Sequence, residues 1–238
     1  MTPPITARMH SGRLRGGFVF LSASFPSPAK SAEFHRTARP FEITDAVIAA
    51  TRAVLGASGK LVFGAHPTVS PLVLSVAKDF AGEFREAEGP AIHIYQTELY
   101  RNEIPEETRE LESEGLGEIH MIPSVGEDLE ESLDVMRRDM LKRSRPMAGG
   151  IFIGGMEGVY KPGIATSEFA LFKEYCAGRP IYPIGAPGGA SQILANRLVN
   201  EDEALMWKYE SVRPRELLSE AVYAPLMHKI VSDMTRQM

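Results

Sequence analysis

Short runs of β-branched and aromatic residues recur along this chain, and their spacing constrains the fold more than any other feature. After the first interval the runs start about 30 residues apart, which is the length of one strand and one crossover helix. Most of them lack alternating polar residues, as is typical of strands that helices cover on both faces. The pattern predicts an α/β fold with a Rossmann-like, open and mainly parallel sheet of about six strands. The runs are residues 18–21, 61–63, 92–95, 119–122, 151–153 and 181–184.

The segments between the runs carry signals of helices. Ser70 is predicted to cap a helix in which Pro71 takes the first helical position. Ser124 and Glu127 fit a capping box, which predicts another helix that extends to about Arg143. Small residues blur the periodicity of the remaining helical segments, which are 41–55, the stretches after Thr166 and Gly188, and 213–238.

Length and composition favour one soluble domain. The chain has 238 residues, of which 44% are hydrophobic, and such a chain can bury a core without disulfides or metals. We expect one domain over residues 18–238, preceded by a flexible segment at 1–17 and ending in helices from about residue 202, with a break near Pro225. No apolar run is long enough to span a membrane, and the first residues lack the apolar core of a signal peptide. We therefore expect a cytoplasmic protein with no membrane contact.

Charge, cysteine and histidine content narrow the possible partners. The net charge is −5 without a dense block of lysine or arginine, so we expect no nucleic-acid partner. Cys176 is the only cysteine, and burial in a helix is favoured over a nucleophilic role. The histidines lack the His-x-His and His-x-x-x-His spacings of metal ligands, so we predict no metal site and no cofactor. His93 and His120 lie inside predicted strands, which favours packing over catalysis.

The residues that follow the predicted strands are the candidates for function. Ligands of parallel sheets bind beyond the carboxyl ends of the strands, where free N–H groups of helix N-termini attract anions. The turns after the first, second, fifth and sixth runs are rich in glycine or hydroxyl groups, which predicts a nucleotide or another phosphate-bearing ligand. For each turn alone, glycines that merely end strands and cap helices remain an alternative. The predicted ligand-binding residues are Ser22, Ser24, Gly64, His66, Thr68, Ser70, Gly154, Gly155, Met156, Glu157, Gly158, Glu168, Gly188 and Gly189.

Two of these side chains are candidates for chemistry. His66 lies where a loop enters a helix, and a ligand contact and a structural role are equally favoured there. Glu168 lies near a helix start, where it could hydrogen-bond a ribose or act as an acid or base in N-glycosidic cleavage. Glutamate is also common at helix N-termini because of the helix dipole, so a structural role stays open. The Walker A and Gly-x-Gly-x-x-Gly fingerprints are absent, which disfavours kinases and ordinary dehydrogenases.

At these turns the sequence resembles the SLOG superfamily, which unites Smf/DprA proteins with the Lonely Guy phosphoribohydrolases. It most resembles the SLOG cluster 3 family of prokaryotic conflict and defence systems. The stretch 62–72 is the most specific part of the match. The resemblance spans about residues 18–198 and is carried by residues 21–24, residues 62–72, Ser132-Leu133, Met136-Arg137, residues 153–158 and Glu168-Phe169.

The resemblance implies a Rossmann-like sheet, a homodimer or higher homo-oligomer, and a pocket for nucleotides or ADP-ribose-like signals. Members resemble either sensors, which here would need a separate effector of the TIR type, or hydrolases of such ligands. The Lonely Guy signature is Pro-Gly-Gly-x-Gly-Thr-x-x-Glu with a separate catalytic arginine. In this chain residues 154–158 replace its first part, Glu168 is the counterpart of its glutamate, and no arginine is assigned.

Three functional hypotheses follow. The first is a binding module that senses a nucleotide or an ADP-ribose-like signal, and the loose fit to a catalytic pattern favours it. The second is a nucleotide N-glycosidase that uses Glu168. The third is a scaffold whose pocket no longer binds a ligand.

Overall fold

A six-stranded sheet, in which every strand runs parallel to its neighbours, forms the centre of the structure. The computed structural model describes residues 13–29, 31–84, 89–156, 167–200 and 209–238. Each predicted run lies within one strand, so the predicted Rossmann-like α/β fold is confirmed. The strands are β1 (Phe18–Ser24), β2 (Lys60–Gly64), β3 (Ile92–Thr97), β4 (Gly117–Ile122), β5 (Met147–Gly154) and β6 (Ile181–Ile184), in the spatial order β4–β3–β2–β1–β5–β6.

Helices connect successive strands and cover both faces of the sheet. The α-helices of the described ranges are α1 (Ala32–Thr37), α2 (Pro40–Gly56), α3 (Ser70–Ala77), α4 (Ala81–Phe84), α5 (Glu106–Ser113), α6 (Leu129–Arg143), α7 (Ser167–Tyr175), α8 (Ala190–Val199), α9 (Pro214–Ser219) and α10 (Tyr223–Arg236). Short 3₁₀ helices occupy Lys78–Phe80 and Glu98–Glu103. No helix within the described ranges has the length and apolar character needed to cross a membrane.

Two consecutive glycines of β5 show how closely the helices approach the two faces. A Cβ atom on Gly149 would lie 2.8 Å from Met234 of α10, whereas one on Gly150 would lie 3.0 Å from Phe172 of α7. Successive residues of a strand point to opposite faces, so α10 and α7 cover opposite sides of β5. On the α7 side, the rings of Phe172 and Phe20 stack with their centroids 5.6 Å apart.

Two helix starts differ from the sequence prediction. Helix α3 begins at Ser70 with Val69 as its N-cap, so the predicted cap at Ser70 and the predicted first position of Pro71 are each wrong by one residue. The buried Ser70 hydroxyl accepts a hydrogen bond from Thr108 of α5 at 2.9 Å. Helix α6 begins at Leu129, where Asp128 caps it and accepts a hydrogen bond from the Glu131 N–H. The predicted capping box of Ser124 and Glu127 was therefore wrong. Gly126, between those two residues, has a φ of 55°, a left-handed conformation that a helix cannot contain.

The two ends of the chain also refine the prediction. Within the predicted flexible segment 1–17, Leu14 is fully buried and its N–H donates to the Ala57 carbonyl at 2.8 Å. The packed core of the domain therefore includes Leu14, which precedes the predicted domain start at residue 18. The C-terminal helices break at residues 220–222, and Pro225 lies in the first turn of α10. At that position the missing proline N–H costs no intrahelical hydrogen bond.

Cys176 is buried, as predicted, but it lies in the turn directly after α7 and not within a helix, whereas His93 and His120 lie in strands, as predicted. Cys176 is buried, and burial raises the pKa of its thiol to about 11. His93 lies in β3 and His120 in β4, with their rings stacked at a centroid distance of 5.3 Å. Burial lowers the pKa of both imidazoles, that of His93 to about 4.

Replacement of Tyr182 by phenylalanine tests the packing beside β6. The buried Tyr182 hydroxyl has no hydrogen-bond partner in the part of the chain that the structure describes, whereas the neighbouring Tyr209 hydroxyl donates to the Ile181 carbonyl at 2.6 Å. We expect Tyr182→Phe to raise the free energy of unfolding by about 1 kcal/mol, because it removes an unsatisfied polar group. Tyr209→Phe, the matched control, should lower it by about 1 kcal/mol. Urea unfolding measures both, and a loss of stability in Tyr182→Phe would contradict the expectation.

Candidate functional site

The strand order reverses between β1 and β5. Strands β2, β3 and β4 follow one another outward on one side of β1, while β5 and β6 lie on its other side. In open α/β sheets, ligands bind at this point, in the crevice beyond the carboxyl ends of the strands. Strands β1 and β5 end together here, because Ser24 pairs in register with Gly154. The carboxyl ends of β1 and β5 are therefore the candidate site.

Three polar side chains meet at this point, and we call them the Ser22–Glu168–Arg137 cluster. Ser22 of β1 donates a hydrogen bond from Oγ to Oε2 of Glu168 at the start of α7. The other carboxylate oxygen of Glu168, Oε1, lies 3.5 Å from Nε of Arg137 on α6. Ser22 is buried, but the Arg137 and Glu168 side chains are 23% and 24% exposed. A ligand can therefore reach the charged groups from solvent.

Local structure explains why these side chains converge. Ser22 follows Phe20 by two residues, so both side chains point to the sheet face that α7 covers. Glu168 precedes Phe172 by four residues, so both lie on the same side of α7. Phe20 and Phe172 stack in the core. Their contact places Ser22 next to Glu168 at the carboxyl ends of the strands. On α6, buried Met136 anchors the turn from which Arg137 extends.

The cluster combines the two chemical groups that a nucleotide requires. Within the described residues, the buried Nε of Arg137 makes no hydrogen bond, although it faces Glu168. A guanidinium with a spare donor matches the geometry of phosphate oxygens. The carboxylate of Glu168 retains lone pairs that can accept hydrogen bonds from ribose hydroxyls. The arrangement can therefore hold a phosphate and a sugar side by side.

The first glycine turn follows β5 directly. Gly154 and Gly155 have φ angles of 64° and 78°, which L side chains rarely adopt. Their N–H groups already donate within the protein, that of Gly154 to Ser191 Oγ and that of Gly155 to the Ser24 carbonyl, both at 2.9 Å. Ser191 Oγ also donates to the Ile184 carbonyl and so connects the ends of β5 and β6. These two N–H groups hold the strand ends together.

The second glycine turn follows β6 and is buried against the first. Gly188 and Gly189 have φ angles of 79° and 72°. A Cβ atom on Gly188 would lie 2.0 Å from the Thr37 carbonyl oxygen, and one on Gly189 would lie 2.7 Å from the Gly154 carbonyl carbon. The backbones therefore pack closer than any side chain would allow. A ligand contact through these glycines stays a prediction.

The loop between β2 and α3 holds the remaining predicted residues. Gly64 is the last residue of β2, which pairs with β1 as far as Phe20 and Val62. His66 Nδ1 accepts from the Thr68 N–H at 3.3 Å and lies 2.8 Å from Thr68 Oγ1. The Ser70 hydroxyl is buried against α5, as described above. These hydrogen bonds shape the loop itself, and none of them extends to the Ser22–Glu168–Arg137 cluster.

Of the three remaining predicted residues, one lies in the described part of the chain. Met156 is partly buried beside the first glycine turn, and Glu157 and Gly158 lie outside the described residues. Arg137 is the site residue that sequence reasoning missed, because it entered only through the family resemblance and received no role. The sequence signal that could have identified Arg137 was its position directly after Met136, at the edge of the apolar stripe of α6.

Replacement of Gly188 by alanine tests the close backbone packing below the site. We expect Gly188→Ala to lower the free energy of unfolding by more than about 3 kcal/mol, because its Cβ would overlap the Thr37 carbonyl. Gly178→Ala is the control, since Gly178 has a φ of 77° but no atom within 4 Å of the added Cβ. It should cost only about 1 to 2 kcal/mol for the left-handed conformation. Equal losses in urea unfolding would show that steric contact at Gly188 is unimportant.

Comparison with known proteins agrees with this architecture. A model of the SLOG cluster3 family matches residues 33–217, which is most of the chain and includes Arg137 and Glu168. Ser22 precedes the matched region. A comparison with curated proteins found no match.

Proposed function

The chain belongs to the SLOG cluster3 family, and from this premise we propose that it binds a nucleotide or nucleotide-derived ligand at the carboxyl ends of β1 and β5. The Ser22–Glu168–Arg137 cluster carries the proposal, because it places a guanidinium and a carboxylate at the point where the strand order reverses. That is where open α/β sheets bind nucleotides.

The side chains of the cluster favour an ADP-ribose-like ligand. Arg137 supplies the guanidinium for a phosphate or diphosphate, since part of its side chain is exposed to solvent. Glu168 supplies the acceptor for a ribose hydroxyl, the role that an acidic residue has in dinucleotide-binding sheets. The two groups lie next to each other, as the phosphate and ribose of one nucleotide do.

Binding without turnover is the function that we favour. Glu168 already accepts the Ser22 hydrogen bond on one oxygen and faces Arg137 with the other. The cluster offers Glu168 as its one carboxylate and pairs it with no second acid or base, an arrangement that suits recognition more than acid–base catalysis. We therefore propose a sensor of nucleotide-derived signals in a prokaryotic conflict system. A homo-oligomer and a separate TIR-type effector are further parts of this proposal and rest on the family resemblance.

N-glycosidic cleavage is the second candidate function. One observation favours it: Glu168 lies beside an arginine, as the Lonely Guy signature combined with its catalytic arginine implies. In that reaction the carboxylate would stabilise the oxocarbenium-like sugar or activate the attacking water. The same three side chains would then bind the substrate and take part in its cleavage.

Ligand binding by Arg137 variants tests the first proposal. Calorimetry with AMP, ADP, ADP-ribose and NAD should detect at least one ligand for the unmodified protein. We expect Arg137→Ala to weaken that binding by about ten- to a hundredfold, because a charge-assisted hydrogen bond to phosphate is lost. Arg138→Ala is the control, since Arg138 is the next residue on α6 and pairs with Asp134 instead. Absence of binding to every compound would favour a scaffold with an inactive pocket, and equal weakening in both variants would place the ligand elsewhere.

Base release by Glu168 variants separates the sensor from the enzyme. A sensor should release no free base from AMP, NAD or ADP-ribose at high protein concentration, as measured by chromatography. Glu168→Gln should then weaken ligand binding without any change in product. If the unmodified protein releases base and Glu168→Gln slows that release by about a hundredfold or more while the ligand still binds, the N-glycosidase is correct.

A further inference from the structure

Three side chains with metal-binding groups share one face of the sheet, at the edge opposite to the nucleotide site. His93 is the second residue of β3, and Glu118 is the second residue of β4. The two residues are paired across the strands, so their side chains leave the sheet on the same side. His120 follows Glu118 by two residues and therefore points to that side as well. His93 and Glu118 thus lie near the amino ends of adjacent strands, and His120 lies two residues further along β4 on the same face.

Their ligand atoms are close enough to hold one ion. One nitrogen or oxygen atom from each of His93, Glu118 and His120 lies within 4.8 Å of the others. His93 Nδ1 is 3.0 Å from His120 Nε2 and 3.8 Å from Glu118 Oε2, and His120 Nδ1 is 3.7 Å from Glu118 Oε1. Ligands about 2.0 to 2.2 Å from a tetrahedral zinc ion are themselves about 3 to 4 Å apart. Coordination would replace the hydrogen bond between His93 and His120 with bonds to the ion.

The orientation of His93 is a second and independent observation. Its Nε2 lies 3.1 Å from the Pro90 carbonyl oxygen, which can only accept a hydrogen bond. His93 Nε2 therefore donates to that carbonyl, and His93 Nδ1 accepts a hydrogen bond from His120 Nε2 at 3.0 Å. Nδ1 is thus the nitrogen of His93 that an ion would take, in place of the His120 N–H. Histidines that bind metals almost always donate their other N–H to a carbonyl or carboxylate in this way. The pattern is that of a metal ligand with its outer hydrogen bond already formed.

Neighbouring aromatic rings hold both imidazoles in place. The edge of Phe18 packs against His93 with centroids 4.9 Å apart, and Tyr95 stacks on His120 at 4.5 Å. The Glu118 side chain, by contrast, is 51% exposed. A solvated ion can therefore enter beside Glu118 and meet two fixed nitrogens.

We propose that His93, Glu118 and His120 form a binding site for a divalent transition-metal ion, with Zn²⁺ as the best match. Two imidazole nitrogens and one carboxylate are a common zinc ligand set, which leaves the fourth position to water. Mg²⁺ and Ca²⁺ prefer oxygen ligands and fit this set poorly. The ion would connect β4, one of the two edge strands of the sheet, to β3. This site is separate from the nucleotide site, and the two proposals stand or fall independently.

Metal titration of the full chain tests the site. The protein carries no polyhistidine tag and is treated with a chelator and dialysed before calorimetry with Zn²⁺ and absorption spectroscopy with Co²⁺. We expect one equivalent of each ion per chain, a Co²⁺ spectrum typical of low coordination number, and a Zn²⁺-dependent rise in the unfolding temperature. Glu118→Gln and His120→Asn should weaken Zn²⁺ binding at least about tenfold and abolish the thermal shift.

Matched controls distinguish this site from unspecific binding. Glu130→Gln and His228→Asn change exposed residues of α6 and α10 and should leave the Zn²⁺ affinity unchanged. Circular dichroism in chelator verifies that each variant is folded, and Glu118→Gln alone decides the test if His120→Asn is unstable. No binding of Zn²⁺ by the unmodified protein would overturn the proposal. Equal affinity in the Glu118→Gln and unmodified proteins would overturn it too, because the ion would then have other ligands.

Discussion

The contact between the carboxyl ends of β1 and β5 is the interaction on which the rest of the structure depends. Strand β1 pairs with β2 on one edge and with β5 on the other, so it joins the two halves of the sheet. The Gly155 N–H donates to the Ser24 carbonyl at their junction. Gly189 then packs directly on the Gly154 backbone, where a side chain would collide. Glycine is needed at these positions because both close approach and positive φ angles exclude larger residues.

This packing gives the glycine turns a different role from the one that their composition suggests. In many nucleotide-binding sheets, glycine-rich turns leave N–H groups free for phosphate. Here the N–H groups of Gly154 and Gly155 donate within the protein and fix the floor of the site. The ligand contacts that we propose are therefore side chains, above all those of Arg137 and Glu168. A ligand held by a guanidinium and a carboxylate would not need free backbone N–H groups. The glycine turns can therefore be buried while the proposed site stays accessible.

The sequence predicted the elements of the fold more accurately than their boundaries. All six strands were predictable, because parallel strands buried on both faces appear as short apolar runs at the spacing of one strand and one helix. The start of α6 was not, because a capping box at Ser124 and Glu127 competes with a cap at Asp128. The left-handed Gly126 decides between them, and its φ angle depends on how the chain leaves β4. Local patterns therefore indicate that a helix exists but leave its first residue to the tertiary structure.

Contacts between side chains of different elements depend even more strongly on the tertiary structure. Apolar periodicity and glycine-rich turns in the sequence by themselves determined the α/β class, the parallel sheet and the strand ends that carry the site. Only the tertiary structure placed Arg137 against Glu168, because the two residues extend from different helices. It also brought His93 from one strand to Glu118 and His120 on the next, where a search for ligand spacing along a single segment finds nothing. The physical reason is that periodicity records which face of an element is buried, whereas strand order and register decide which side chains meet across elements.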